Sequence, residues 1–246
     1  MTDHGPFHAD QLRQGDRYEL SAGHAIWCSP TGGRGARASL IGGTVLASDP
    51  DVTSAGLDAG FSPTPDSLRA PDVSVGNVPD QPGWIQGVPQ LAVEYADVGQ
   101  DETDLAVKIR ELLAAGTRWV WVVRLVGPRR VEVHAAGQSM RLANPGEELR
   151  APGVLRNPVA VEALYEPQAG LDATLRNLLQ RQGFDSLEAV RATELRESLL
   201  EVFAARGLAV DEAAQSAIAA CNDPAVLRRW HRAALVAETA EATLLG

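Results

Sequence analysis

Lysine is nearly absent from this chain: of 22 Lys and Arg residues only one, Lys108, is a lysine. Arginine occupies every other basic position. A lysine that persists alone marks a place where a compact, titratable ammonium serves and a broad planar guanidinium does not. Cysteine is also scarce. Cys28 and Cys221 lie far apart with no paired spacing, which argues against a thiolate zinc site or redox dithiol and predicts two buried, reduced bystanders. No run of about 18 apolar residues occurs, and the N-terminus is polar where a signal peptide would be apolar. A cytoplasmic chain with no membrane partner is expected. Also missing are a Gly-x-Ser-x-Gly elbow, a Walker-type phosphate loop and a His-Glu-x-x-His helix. The five histidines, at 4, 8, 24, 134 and 231, are scattered. Positive charge is in deficit as well: the net charge of -10 opposes nucleic-acid binding by bulk electrostatics, which draws on clustered Lys and Arg.

What is present is a chain of 246 residues with 45% hydrophobic content, enough for one large domain and an appendage. Arg17 to Leu20 and His24 to Ser29 are strand-like runs joined by Ser21-Ala22-Gly23, a hairpin signal. Ala36 to Ala47 has a helical composition weakened by Gly42-Gly43. Residues 48–70, rich in Asp, Pro, Ser and Gly, read as a loop of the kind that borders a site. In Pro71 to Val75, alternation sets Asp72 and Ser74 on one face of a strand. In Leu91 to Ala96, Glu94 shares its face with Ala92 and Ala96, while Leu91, Val93 and Tyr95 take the other. Asp101 to Gly116 is an amphipathic helix with Leu105, Ile109, Leu112 and Leu113 on its stripe and Lys108 at the edge, on the side of Asp101 and Asp104. Trp119 to Leu125 then reads as a strand buried on both faces, parallel to the one before the helix. Past Pro158 the pattern turns helical, with Asp172, Ser186 and Asp223-Pro224 as helix starts. Two regions are expected, 1–160 and 161–246.

Two carboxylates on adjacent strands can bind a hard divalent cation, and a nearby lysine can orient water or offset oxyanion charge; phosphodiester hydrolysis needs that set. From spacing alone other readings stay open. Asp72 could begin a surface strand, Asp104 with Lys108 could be a routine i to i+4 ion pair, and Glu19 could be a further site acid or an edge residue.

Gly15-Asp16-Arg17-Tyr18-Glu19-Leu20, Arg69-Ala70-Pro71-Asp72-Val73, Val93-Glu94, Asp104-Leu105 with Lys108, and Gly116 followed by Trp119 to Val123 occur in one order. In that order they resemble the Uma2-like (DUF820) proteins, a branch of the PD-(D/E)XK nuclease superfamily. The resemblance covers about residues 13–142. It implies an α/β fold: a restriction-endonuclease-like mixed β-sheet core flanked by helices, here with a C-terminal α-helical extension. It implies that Asp72 and Glu94 bind Mg2+, or Mn2+, and that Lys108 supplies the catalytic lysine from the helix, because position 96, where the superfamily motif would put it, is Ala96. Glu19 and Asp104 stand as auxiliary acids. The implied activity is metal-dependent DNA endonuclease action by a homodimer. The alternative is a nuclease-fold module that binds or assembles without turnover. Two departures bear on substrate handling: Ala96-Asp97-Val98-Gly99 replaces a usual Ser-Pro after the glutamate, and Arg34 to Arg37 stands where a histidine is common.

Overall fold

The computed structural model describes residues 5–245; His4, one of the scattered histidines, lies outside them. Contacts divide the chain into two compact units, one through Leu178 and one from Leu179 onward.

In the first unit, β1 (Tyr18–Ser21) and β2 (His24–Trp27) form the expected hairpin. Its turn places Ala22 and Gly23 in the left-handed region, the backbone a two-residue hairpin demands. Helix α1 (Gly33–Ser48) follows, starting earlier than the composition predicts. The supposed loop over residues 48–70 contains two short strands, β3 (Ala55–Leu57) and β4 (Phe61–Ser62). Next come β5 (Val73–Val75), β6 (Ile85–Gln86), β7 (Leu91–Ala96), α2 (Glu102–Ala114) and β8 (Trp119–Arg124). Then follow β9 (Arg130–Ala135), β10 (Arg141–Ala143), β11 (Glu148–Leu149) and β12 (Val159–Ala160).

The central sheet has the order β10-β9-β8-β7-β5-β3, with β7 and β8 parallel and the other pairs antiparallel. This is a mixed sheet flanked by helices. Every residue of β7 is buried, because helices cover both faces of its strand. Leu91, Val93 and Tyr95 join the core that contains Ala38, Val45 and Leu46 of α1, while Ala92 and Ala96 join Leu105, Ile109 and Leu112 of α2. Glu94 alternates with those two alanines, so it lies on the α2 side. Gly42 marks the close approach of α1 to the sheet: a β-carbon there would stand 1.9 Å from the Tyr95 hydroxyl, which itself donates to the Leu164 carbonyl at 3.0 Å.

Helix α3 (Pro167–Arg181) begins before Asp172, so Asp172 sits within the helix and does not cap it. The second unit contains α4 (Leu187–Ala205), α5 (Glu212–Ala220), α6 (Pro224–Ala234) and α7 (Ala240–Leu245). Ser186 and Asp223 cap α4 and α6 as expected; α5, capped by Asp211, was not foreseen. Its core gathers Leu199, Phe203, Ala214, Ile218, Ala234 and Ala240. The cysteines are free and half-buried, so they are more exposed than expected. Among the described residues no helix is long and apolar enough to cross a membrane.

Candidate active site

Three elements meet at a cleft of about 700 Å³ on the α2 side of the sheet. The backbone of β1 brings in Glu19. Leu20 bridges to Leu68 in antiparallel fashion, so the segment leading into β5 runs beside the hairpin and delivers Arg69 and Ala70 to Glu19. Pairing of β5 with β7 sets Val73 opposite Val93; one residue further along the same register, Asp72 stands opposite Glu94. The Asp72 carboxylate accepts from the Tyr95 amide at 2.6 Å and so continues the ladder just before β5 begins. Helix α2, capped by the Asp101 side chain on the amides of Thr103 and Asp104, aims Lys108 inward.

The Lys108 ammonium lies 2.9 Å from Glu19 Oε1, 2.8 Å from the Ala70 carbonyl oxygen and 2.9 Å from Glu94 Oε1. Its first two contacts are aligned hydrogen bonds. The third is an ion pair by distance alone, which leaves Glu94 Oε1 buried without an aligned donor. Asp104 lines the cleft but forms no ion pair with Lys108 among the described residues, so the i to i+4 reading does not describe this helix.

Behind this centre is a brace that sequence reasoning missed. Arg69, with only 3% of its side chain exposed, donates to Glu19 Oε2 at 3.0 Å and to Glu111 Oε2 at 2.6 Å. Glu111 also accepts from Ser21 Oγ at 2.5 Å. The available signal was Glu111 one turn past Lys108, hence on the same helix face. Asp58 was missed too. It lines the cleft from the loop after β3, at a φ of 49° that favours glycine and is uncommon for an aspartate. At the rim, Arg34 Nε donates to Asp97 Oδ2 at 2.9 Å. The two positions that depart from the resembled pattern therefore pair with each other.

Burial and mutual repulsion set the charge states. Burial pushes Glu94 up to about 8, with Asp72 and Glu19 adding to it and Lys108 opposing it. Asp72 is raised chiefly by burial, against the pull of Lys108 and the Tyr95 amide, and Asp58 is raised for the same first reason. Burial would raise Glu19, but Lys108 and Arg69 outweigh it and hold Glu19 below the usual range. Lys108 goes the other way: burial would lower it, yet Glu19, Glu94 and Asp72 keep it above its ordinary value. The ammonium is charged at any physiological pH.

Among the described residues no three His, Cys, Asp or Glu side chains converge closely enough to hold an ion by themselves. Magnesium does not require three, since it keeps several waters and takes one or two carboxylates plus substrate phosphate. Asp72 and Glu94 supply hard oxygen donors, and Glu94 Oε1 is buried with no aligned hydrogen-bond donor, only the Lys108 ammonium at 2.9 Å. That donor set fits Mg2+ or Mn2+.

A family model described as Uma2, "Putative restriction endonuclease", matches residues 7–161. A solved structure described as "a putative nuclease belonging to DUF820 from Anabaena variabilis" is similar with a TM-score of 0.56 and 20% identity, over 65% of this chain and 98% of that one. At that identity the likeness concerns the fold. No curated protein matches the chain.

Proposed function

The chain belongs to the Uma2 family, and from that membership we propose that its cleft hydrolyses phosphodiester bonds in DNA as a magnesium-dependent endonuclease. One observation carries the reading: the only lysine of the chain, with 12% of its side chain exposed, is in contact with Glu94 and Glu19, beside Asp72. Asp72 and Glu94 are the residues that would hold the ion. When bound, Mg2+ supplies an activated water and offsets charge on the phosphate. Lys108, kept protonated by three carboxylates, is no general base. It acts as a fixed cation toward the negative charge that develops on the phosphoryl oxygens. Glu19 and the Ala70 carbonyl hold the ammonium in place, and Arg69 holds Glu19. Manganese, with the same preference for oxygen donors, substitutes for magnesium.

The test is cleavage of single-stranded, duplex and branched DNA with each metal, for the wild type, Asp72→Asn and Glu94→Gln. Metal-dependent cleavage lost in both variants is the expected result. Absence of cleavage on every substrate with every metal would replace the enzyme by a nuclease-fold binding module.

A further inference from the structure

Five arginines of the second unit differ sharply in what they touch. Arg196 donates to the Ala219 carbonyl at 2.9 Å and to Asn222 Oδ1 at 3.2 Å, and Arg206 donates to the Ala234 and Ala237 carbonyls at 2.6 Å each. These two hold helix ends together. Arg228, Arg229 and Arg232, all on α6, are exposed and take part in no ion pair or side-chain hydrogen bond among the described residues. From Pro224 to Ala237 there is no acidic residue at all, in a chain whose net charge is -10. Arg228 and Arg232 are four residues apart and Arg229 and Arg232 three, so the three guanidinium groups share one side of the helix. The opposite side is committed: Leu227 and Ala234 are buried, and His231 is taken by Ser198 at 3.0 Å. A last-turn cation complements the helix dipole, which accounts for Arg232 but not for Arg228 or Arg229.

We propose that this face of α6 binds the phosphate backbone of DNA. The inference rests on the endonuclease reading for the identity of the ligand. It addresses a deficit that this reading leaves: the charged side chains lining the cleft are eight carboxylates against three cations, Arg17, Arg69 and Lys108, while affinity for DNA comes from cations that displace condensed counterions. Guanidinium groups suit phosphate because they bind it through two parallel N–H bonds. A membrane surface is less well served. The apolar side of α6 is already used in its own unit, and only Leu235 and Val236, at its end, are exposed.

The experiment is anisotropy of a short fluorescein-labelled DNA duplex with the full chain, in chelator so that nothing is cleaved, across a salt series. Arg228→Gln/Arg229→Gln/Arg232→Gln should bind at least about 10-fold more weakly at low salt. The slope of log affinity against log salt should become shallower by roughly 2 to 3, at about 0.9 per phosphate contact. The triple lysine variant, which keeps the charge, should stay near wild type. Unchanged affinity and slope in the glutamine variant would overturn the proposal, as would no binding by the wild type. A lysine variant as weak as the glutamine one would show that positive charge is not what this face supplies, and would overturn it too. If DNA binding is unchanged in the glutamine variant while its co-flotation with phosphatidylserine-containing vesicles is lost, the face belongs to a membrane and the proposal is overturned. A wild type that binds through these arginines but cleaves nothing would retain this inference and sink the endonuclease reading.

Discussion

Lys108 has three oxygen neighbours within 2.9 Å and only 12% of its side chain exposed. An arginine there must fit a larger, planar head into the same space. Lys108→Arg should lower the cleavage rate about 10²-fold, as loss of a positioned transition-state donor does. It should also lower stability by roughly 1–3 kcal/mol through overpacking. Rate and melting temperature measured side by side check both, and wild-type cleavage would sink the assigned role. Arg69 is as confined. Arg69→Ala leaves Glu19 with Lys108 and Glu111 with Ser21 but removes the cation between them, and should cost about 1–3 kcal/mol, read by chemical denaturation. Glu94 sets a pH dependence of unusual sign. Its folded value lies near 8, above the ordinary 4.5, so between these values the folded state holds more protons than the unfolded one. The stability it contributes is full below pH 4.5 and is lost as pH rises through 8. Asp72 and Asp58 add in the same direction, whereas Glu19 acts only below its ordinary value. Without metal, the melting temperature should fall from pH 5 to pH 8.5, and Glu94→Gln should flatten that fall. A variant with the full wild-type slope would refute this origin. Added magnesium should raise the wild-type melting temperature more at the alkaline end, where Glu94 is ionised.

At the scale of elements, α1 gives paired expectations. Gly42→Ala improves helix propensity by up to about 1 kcal/mol, but its β-carbon runs into the Tyr95 hydroxyl. A net loss of about 1–3 kcal/mol should result. At Gly33 a β-carbon meets nothing within 4 Å, so Gly33→Ala should be neutral to stabilising by roughly 0.5 kcal/mol. Thermal unfolding of the two variants decides, and a tolerated Gly42→Ala would mean that the helix can shift off the sheet. The same helix shows where sequence reading weakens: Gly42-Gly43 looked like a fault in the pattern, and it is the contact that lets α1 approach β7. The alternation in β7 and the stripe of α2 were legible because each follows from one local period. The Arg69–Glu111 pair, 42 positions apart, has no period to announce it.

At the scale of the whole molecule, the homodimer implied by the resemblance would find an apolar surface on α3, where Leu171, Leu175 and Leu178 are 64%, 44% and 49% exposed. Their spacing places them on one stripe. Leu171→Glu with Leu175→Glu should halve the mass seen in light scattering, with little change in melting temperature because both residues are exposed. A retained dimer would place the interface elsewhere. Cutting the chain after Ala169 would be a poorer test of the same surface. It removes Gly170, packed against Ile41, and Asn177, whose amide donates to the Val45 carbonyl at 3.1 Å and to Ser48 Oγ at 3.0 Å.

The sequence by itself determined the parallel strand, helix and strand that carry Glu94 and Lys108, because hydrophobic period and caps are local properties of the chain. It also singled out Lys108, because one lysine among arginines is a fact of composition. Tertiary structure alone decided which acids the lysine meets. Glu19 arrives from a hairpin 89 positions away, Asp58 from a loop, and Asp104, one turn earlier on the same helix, makes no ion pair with it among the described residues. Register between strands fixes those encounters, and register depends on how two faces of one sheet are buried at once.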